Sequence, residues 1–394
     1  MLNETYQIIM DICNEFKINV TNFSNFGLLL EKNDKKKYII GYNFDLNTCG
    51  AKLLCDDKYL LGIILNQNNI PTVESELFNV IHKRADLEFN NILKLLNNNK
   101  QIVCKSCNGT MGYQVFLCNN SADCKKIFDY FLDKSINFIV SPFYEIAYES
   151  RVIILNNQIE IIYKKKRREI IGDGKSTVLE LINCDNQYNE FILENCLIPE
   201  LKLDTILKKG KKVKYSWKDN LAAGCIPILD LNKKDIKKIK ELTYKTLQVI
   251  EGLNFASIDI IKTKEGKFKV LEINSGIMMS RFASTNESFS NLTYKTYKKA
   301  IAYMMGISLE PWFVYLIKNK NCTYVGATPN TKNRIKKHNG EISGGAKYTK
   351  SKGPGWEYVC IISGFTNKID ALRFEWAFKH EKPKNASGIK NRIK

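Results

Sequence analysis

The 394-residue chain has no apolar run long enough to cross a bilayer, so no transmembrane helix is expected. No charged-then-apolar leader opens it, and a secretory signal is not expected either. Its 12 cysteines are scattered. The Cys-x-x-Cys at Cys104 and Cys107 brackets Lys105, and no second pair follows at zinc-ligand spacing. That pattern argues against a zinc module and a disulfide framework. The cysteines read as reduced thiols of an intracellular, reducing compartment, cytoplasm or nucleus.

What is present is bulk for two or three domains, with 44% hydrophobic residues to build their cores. The formal net charge is +19, and it is uneven. Residues 311–394 carry 17 Lys and Arg against 5 Asp and Glu, a net +12, which leaves +7 for the other 310 residues. A basic C-terminal module fits a polyanionic partner, nucleic acid first. Lysine, asparagine and isoleucine are abundant throughout, which also fits genome composition alone.

The first three-quarters are organised around two strand-like stretches, Phe255 to Ile261 and Phe268 to Ser275, joined by a turn at Lys264-Glu265-Gly266-Lys267. Glu272 and Asn274 are two residues apart and share a strand face, and Asp259 can oppose them across the hairpin. Oxygen ligands in an apolar hairpin suit a hard cation such as Mg²⁺ held with ATP. A hairpin with acids facing water is the plainer reading. Upstream, Lys58 opens a helix. Lys105 ends a strand ahead of the glycine-containing loop Ser106 to Val115, a flexible backbone beside a cation that suits phosphate. That loop is not a Walker loop, because no Gly-Lys-Ser/Thr ends it. The run Lys164-Lys165-Lys166-Arg167-Arg168 reads as a solvated charge run. Gly172 to Thr177 reads as a turn capping a helix at Val178 to Asn183.

Lys58, Lys105, Arg151, Asp259 and Glu272-Ile273-Asn274 follow the order and rough spacing of ATP-grasp ligases. With Gly172-Asp173-Gly174-Lys175-Ser176-Thr177 and Asp219-Asn220-Leu221, the stretch 50–305 resembles the ATP-grasp domain of cyanophycin synthetases and glutathione-synthesising enzymes. The resemblance implies ATP as cofactor, with Lys58 and Lys105 on its phosphates. It implies two Mg²⁺ on Asp259, Glu272 and Asn274, and Arg281 facing the acyl substrate or its phosphate. Arg151 and Asn220 join the nucleotide-side set by position. The hinge reads Val140-Ser141-Pro142, so Glu149 is the acidic residue nearest the nucleotide. The usual Pro-Gly after the Glu-x-Asn is Gly276-Ile277-Met278-Met279 here, and the usual arginine before Asn-Leu is Lys218. The implied chemistry joins a carboxylate to an amine of an amino-acid or peptide substrate through an acyl phosphate, with the lysine-arginine run at 164–168 supplying cationic contacts on the substrate side.

From Pro311 the pattern changes. Phe313-Val314-Tyr315 and Tyr324-Val325-Gly326 fall on two strands, Arg334 and His338 on a short helix, and Glu375 on a later amphipathic helix. With His338-Asn339-Gly340, Gly344-Gly345-Ala346 and Arg373-Phe374-Glu375-Trp376-Ala377, residues 311–380 resemble a GIY-YIG nuclease, especially the Slx-type structure-specific endonucleases without their RING domain. The chemistry read from these residues is phosphodiester hydrolysis. Glu375 holds one Mg²⁺ or Mn²⁺ and Arg334 stabilises transition-state charge. Tyr315 or Tyr324 positions or deprotonates the attacking water, and His338 assists or orients. Branched or flap DNA is the implied partner.

The expectation is thus a mixed α+β and α/β protein. A lead-in at 1–70 precedes an ATP-grasp domain at 71–308, and a GIY-YIG domain follows at 311–394. Its function is ATP- and Mg²⁺-dependent ligation joined to metal-dependent DNA cleavage. One alternative is a nuclease whose ATP-grasp module only binds nucleotide and regulates or docks, and another is a ligase whose C-terminal module only binds nucleic acid.

Overall fold

The computed structural model describes residues 2–23, 27–79, 85–109, 112–184, 197–198, 201–221, 224–320, 322–365 and 368–380. Thr110 and Met111 of the glycine loop, and Ala222, Ala223 and Asn321, lie outside the described residues. The architecture is mixed α and β. It divides into two compact units: residues 1–8, 23–28 and 38–296, and residues 9–22, 29–37 and 297–394.

The first unit contains two antiparallel sheets that matter for the site. A four-stranded sheet runs in the order Glu76–Phe78, Phe138–Pro142, Ile102–Ser106, Val115–Cys118. Helices Ala85–Asn99 and Ser121–Asp133 accompany it, the second capped by the Asn120 side chain accepting from the Asp123 amide. Its core gathers Phe78, Ile92, Ile102, Phe131 and Phe138, with the Phe131 and Phe138 rings stacked at 4.4 Å. Burying each such side chain stabilises by roughly 1.5–3 kcal/mol.

A five-stranded antiparallel sheet runs Ile226–Ile228, Gln158–Lys166, Ile146–Leu155, Phe255–Thr263, Phe268–Asn274. Strand alternation sorts its side chains. Val152, Ile154, Ala256, Ile258 and Ile260 join Ile239, Leu242 and Leu247 of helix Lys233–Val249 in one core. The opposite face therefore receives Arg151, Ser257 and Asp259. The hairpin legible in the sequence is present, with Ser257 opposite Asn274 and Asp259 opposite Glu272. Between Asp259 and Ile260 the register slips by a bulge at Leu271, the residue before Glu272, a device that re-aims side chains. Lys165 departs from the solvated-run expectation. It continues the inward alternation of Ile161 and Tyr163 and is only 4% exposed.

In the second unit, a three-stranded antiparallel sheet places Trp312–Asn319 between Cys322–Thr328 and Glu357–Phe365. Val314, Leu316 and Val325 pack with Ala371 of helix Lys368–His380 on one face. Tyr315, Ile317 and Trp356 form the other, beside helix Thr331–His338.

Candidate functional site

Between the two sheets of the first unit lies a cavity of about 190 Å³. Lys58, Lys105, Glu149, Arg151, Asn220, Glu272 and Asn274 all line it, so seven residues singled out from sequence converge. Lys58 begins helix Lys58–Gln67, whose first turn is closed by Asp57 accepting from the Tyr59 and Leu60 amides at 3.0 Å. Its ammonium donates to the Gly109 carbonyl, and Lys218 donates to the Gly112 carbonyl at 3.0 Å. Two lysines thus grip the glycine loop. A Cβ at Gly109 would overlap the Ser106 hydroxyl and sit 3.2 Å from the Tyr113 carbonyl, so the close loop path requires glycine. Lys105 is 8% exposed, and burial lowers its pKa while the Glu272 charge opposes that shift.

Glu272 and Asn274 lie side by side, with Asn274 Nδ2 donating to Glu272 Oε1 at 3.2 Å. Asp259 sits behind the wall, 0% exposed. Arg151 grips it through Nε at 2.7 Å and Nη2 at 2.6 Å, and Lys165 Nζ adds a third bond at 3.0 Å. Burial alone would raise the Asp259 pKa, but the Arg151 and Lys165 charges outweigh it and hold the carboxyl low. Glu149 pairs with Lys165; burial is the largest influence on it and pushes its pKa up. Arg281 does not line the cavity, and its Nη1 donates to the Leu221 carbonyl at 3.2 Å. Sequence reasoning named Lys165 only as one member of the cationic run 164–168, and it missed Trp217 as a cavity residue. The period-two alternation from Ile161 was the signal for Lys165; nothing local marks Trp217.

The second site is a directed chain of hydrogen bonds. Arg334 Nε donates to the Tyr315 hydroxyl at 2.8 Å. That hydroxyl lies 2.8 Å from His338 Nε2, and His338 Nδ1 lies 2.8 Å from Thr349 Oγ1. Thr349 Oγ1 donates to the Ala346 carbonyl at 3.0 Å, so it accepts from Nδ1–H. Nε2 is then the acceptor and Tyr315 the donor. Burial, with the Arg334 charge second, pushes the His338 pKa down to about 4, so the ring is neutral at pH 7. Burial likewise raises the Tyr315 phenol, partly offset by Arg334.

Gly326 faces Tyr315 across the strand pair. A Cβ there would overlap the Tyr315 hydroxyl and lie 2.6 Å from its ring carbon Cζ. Asn339 fastens the helix end: its Oδ1 accepts from the Gly355 and Trp356 amides at 3.0 and 2.7 Å. Tyr324 is half-buried, its ring 5.2 Å from His338. Glu375 pairs with Lys379, whose ammonium lies 5.7 Å from the centre of the Tyr324 ring. The site thus assembles two tyrosines, an arginine, a neutral histidine and a carboxylate. Among the described residues, no group of three or more His, Cys, Asp or Glu side chains converges as a metal cage.

These two sites define a ligase-type nucleotide module and a compact nuclease-type module. Residues 55–190 match the RimK-like ATP-grasp domain, and residues 311–388 match the GIY-YIG catalytic domain. The chain therefore carries both domains. Its C-terminal part is similar to the structure-specific endonuclease subunit SLX1 of Phaeosphaeria nodorum, 46% identical over 69 residues, 17% of this chain and 19% of that protein. It is also similar to the SLX1 homolog of Brugia malayi, 53% identical over 62 residues, 16% and 18% of the two chains. The chain thus spans about a fifth of the length of these relatives. Among solved structures, a bifunctional glutathione synthetase from Pasteurella multocida aligns with a TM-score of 0.46 and 15% identity, over 77% of this chain and 44% of that one. No described helix is long and apolar enough to cross a membrane.

Proposed function

We propose that the chain is bifunctional: an ATP- and Mg²⁺-dependent carboxylate–amine ligase, at 71–308 after a lead-in at 1–70, joined to a metal-dependent DNA endonuclease at 311–394. The ligase half rests on the convergence of Lys58, Lys105, Glu272 and Asn274 on one cavity. Lys58 and Lys105 neutralise nucleotide phosphates. Glu272 and Asn274 offer oxygen atoms that would hold Mg²⁺, which would supply positive charge for the transferring phosphoryl group. Phosphorylation of the substrate carboxylate gives an acyl phosphate, and an amine displaces phosphate from it. Arg151, Asn220 and Arg281 orient the nucleotide and the acyl substrate, an amino acid or peptide.

The nuclease half rests on the Arg334–Tyr315–His338 chain. Tyr315 fixes Arg334, whose remaining guanidinium nitrogens stabilise charge on the attacked phosphate. Tyr324, less buried than Tyr315, positions the attacking water. Glu375 would hold Mg²⁺ or Mn²⁺, which would supply Lewis-acid charge at the scissile phosphate. Branched or flap DNA is the substrate.

ADP release against a panel of amino acids and short peptides tests the first half, and cutting of branched against plain duplex DNA tests the second. Amine-dependent ADP release and preferential cutting of the branch are expected. ATP binding without turnover on any pair would leave a nucleotide-binding module only.

A further inference from the structure

Asp259 is the expected metal carboxylate whose surroundings least resemble a metal site. Its Oδ1 accepts from Arg151 Nε at 2.7 Å, and its Oδ2 accepts from Arg151 Nη2 at 2.6 Å and Lys165 Nζ at 3.0 Å. Both lone pairs of Oδ2 are therefore used. The residue is fully buried and does not line the cavity. The arrangement is written into the strand register. Tyr163, Arg151, Asp259 and Glu272 face one another in a single row across four strands, with Lys165 and Glu149 paired one step along. Glu149 binds Lys165 from the other side, so two cations meet two carboxylates and no surplus negative charge remains to attract a divalent ion. A cation placed on Asp259 would also lie against two positive charges.

Glu272 is the opposite case. It is half-buried, lines the cavity and takes no ion pair among the described residues. Among the described residues its one hydrogen bond comes from the Asn274 amide.

We infer that Asp259 anchors Arg151 and Lys165 rather than a metal ion, and that the cavity holds one nucleotide-dependent divalent cation, on Glu272 and Asn274, instead of two. The inference rests on the ligase reading of this cavity. Arg151 and Lys165, both lining it, are then the fixed positive groups where a second metal would otherwise sit. Lys165 is a positioning residue that no sequence motif singled out.

The test counts Mn²⁺ on the full-length chain carrying Glu375→Gln, which removes the nuclease carboxylate. Retained Mn²⁺ is measured by the loss of its free-ion paramagnetic resonance signal, with and without a non-hydrolysable ATP analogue. One analogue-dependent Mn²⁺ per chain is expected, and Glu272→Gln should abolish it. In parallel, the metal-free, nucleotide-free thermal midpoint is read. Asp259→Asn leaves the buried Lys165 and the half-buried Arg151 short of a partner and should lower it by roughly 5–10 °C, whereas Glu272→Gln should move it by no more than about 2 °C. Two analogue-dependent Mn²⁺ would overturn the inference while leaving nucleotide binding intact. So would an Asp259→Asn midpoint that is unchanged or raised, as removing an idle metal carboxylate predicts. If Asp259→Asn does not fold, the Mn²⁺ count on the Glu375→Gln chain decides alone. No retained analogue would overturn the ligase reading, and the inference with it.

Discussion

Tyr315 and His338 hold each other through a single 2.8 Å hydrogen bond, and the far side of the ring is fixed by Thr349. The Thr349 hydroxyl is spent on the Ala346 carbonyl, so it has only a lone pair to offer the ring. Thr349→Val removes that acceptor and leaves the Nδ1–H without its partner. DNA cutting should slow roughly tenfold to a hundredfold, while Thr349→Ser keeps most activity. Single-turnover cleavage by both variants checks this. Equal loss in the two would show that volume, not the hydroxyl, matters there.

The same ring gives a pH dependence with a definite sign. His338 has a folded pKa of about 4, below the ordinary histidine value, so the unfolded chain binds the extra proton between the two. Its contribution to stability is complete above the unfolded value, about 6.5, and is lost as pH falls towards 4. The thermal midpoint of the second unit should therefore fall over that interval, and His338→Gln should flatten the fall. Midpoints measured at half-unit steps read it directly. An unchanged slope in the variant would assign the dependence elsewhere.

Gly326 is a steric requirement. Gly326→Ala pushes a methyl into the Tyr315 hydroxyl and ring. A cost of about 1–3 kcal/mol is expected, together with loss of cutting, since Arg334 is held through that hydroxyl. Denaturant melts and cleavage assays on the same preparation check the pair. An active, fully stable variant would contradict the packing described.

Lys105 is buried against the cavity, while Lys58 and Lys218 tie the glycine loop. Lys105→Ala should weaken ATP binding by tenfold or more, on the order of one lost charge-assisted hydrogen bond, with DNA cutting unchanged. Titration calorimetry with ATP and Mg²⁺ measures the first effect. Undiminished affinity would remove Lys105 from the phosphate set.

Much of this was legible because local rules and the fold agree. The Asp259–Glu272–Asn274 hairpin followed from two strand-like stretches and the turn at Gly266, and the Val178–Asn183 helix from the Gly172–Thr177 turn that caps it; the structure adds a Thr177–Glu180 capping box. The Arg334, His338 and Glu375 helices followed from spacing and motif. Beyond the hairpin, pairing between strands distant in the chain was not legible. Opposition of Arg151 to Asp259 depends on register between segments 108 residues apart, which no local pattern encodes. Lys165 looked like one charge in a solvated run because its neighbours Lys164 and Lys166 do face outward more than it does. Thr349 carried no signal, since its role exists only once His338 is packed against it.

The central claim is that one chain houses two separate catalytic centres. A single side-by-side assay of the wild type, Glu272→Gln and Glu375→Gln, reading both amine-dependent ADP release and cutting of branched DNA, tests it most directly. The expected pattern is crossed: Glu272→Gln loses ADP release and keeps cutting, whereas Glu375→Gln keeps ADP release and loses cutting. Loss of both activities in either variant, or a wild type lacking either one, would contradict it.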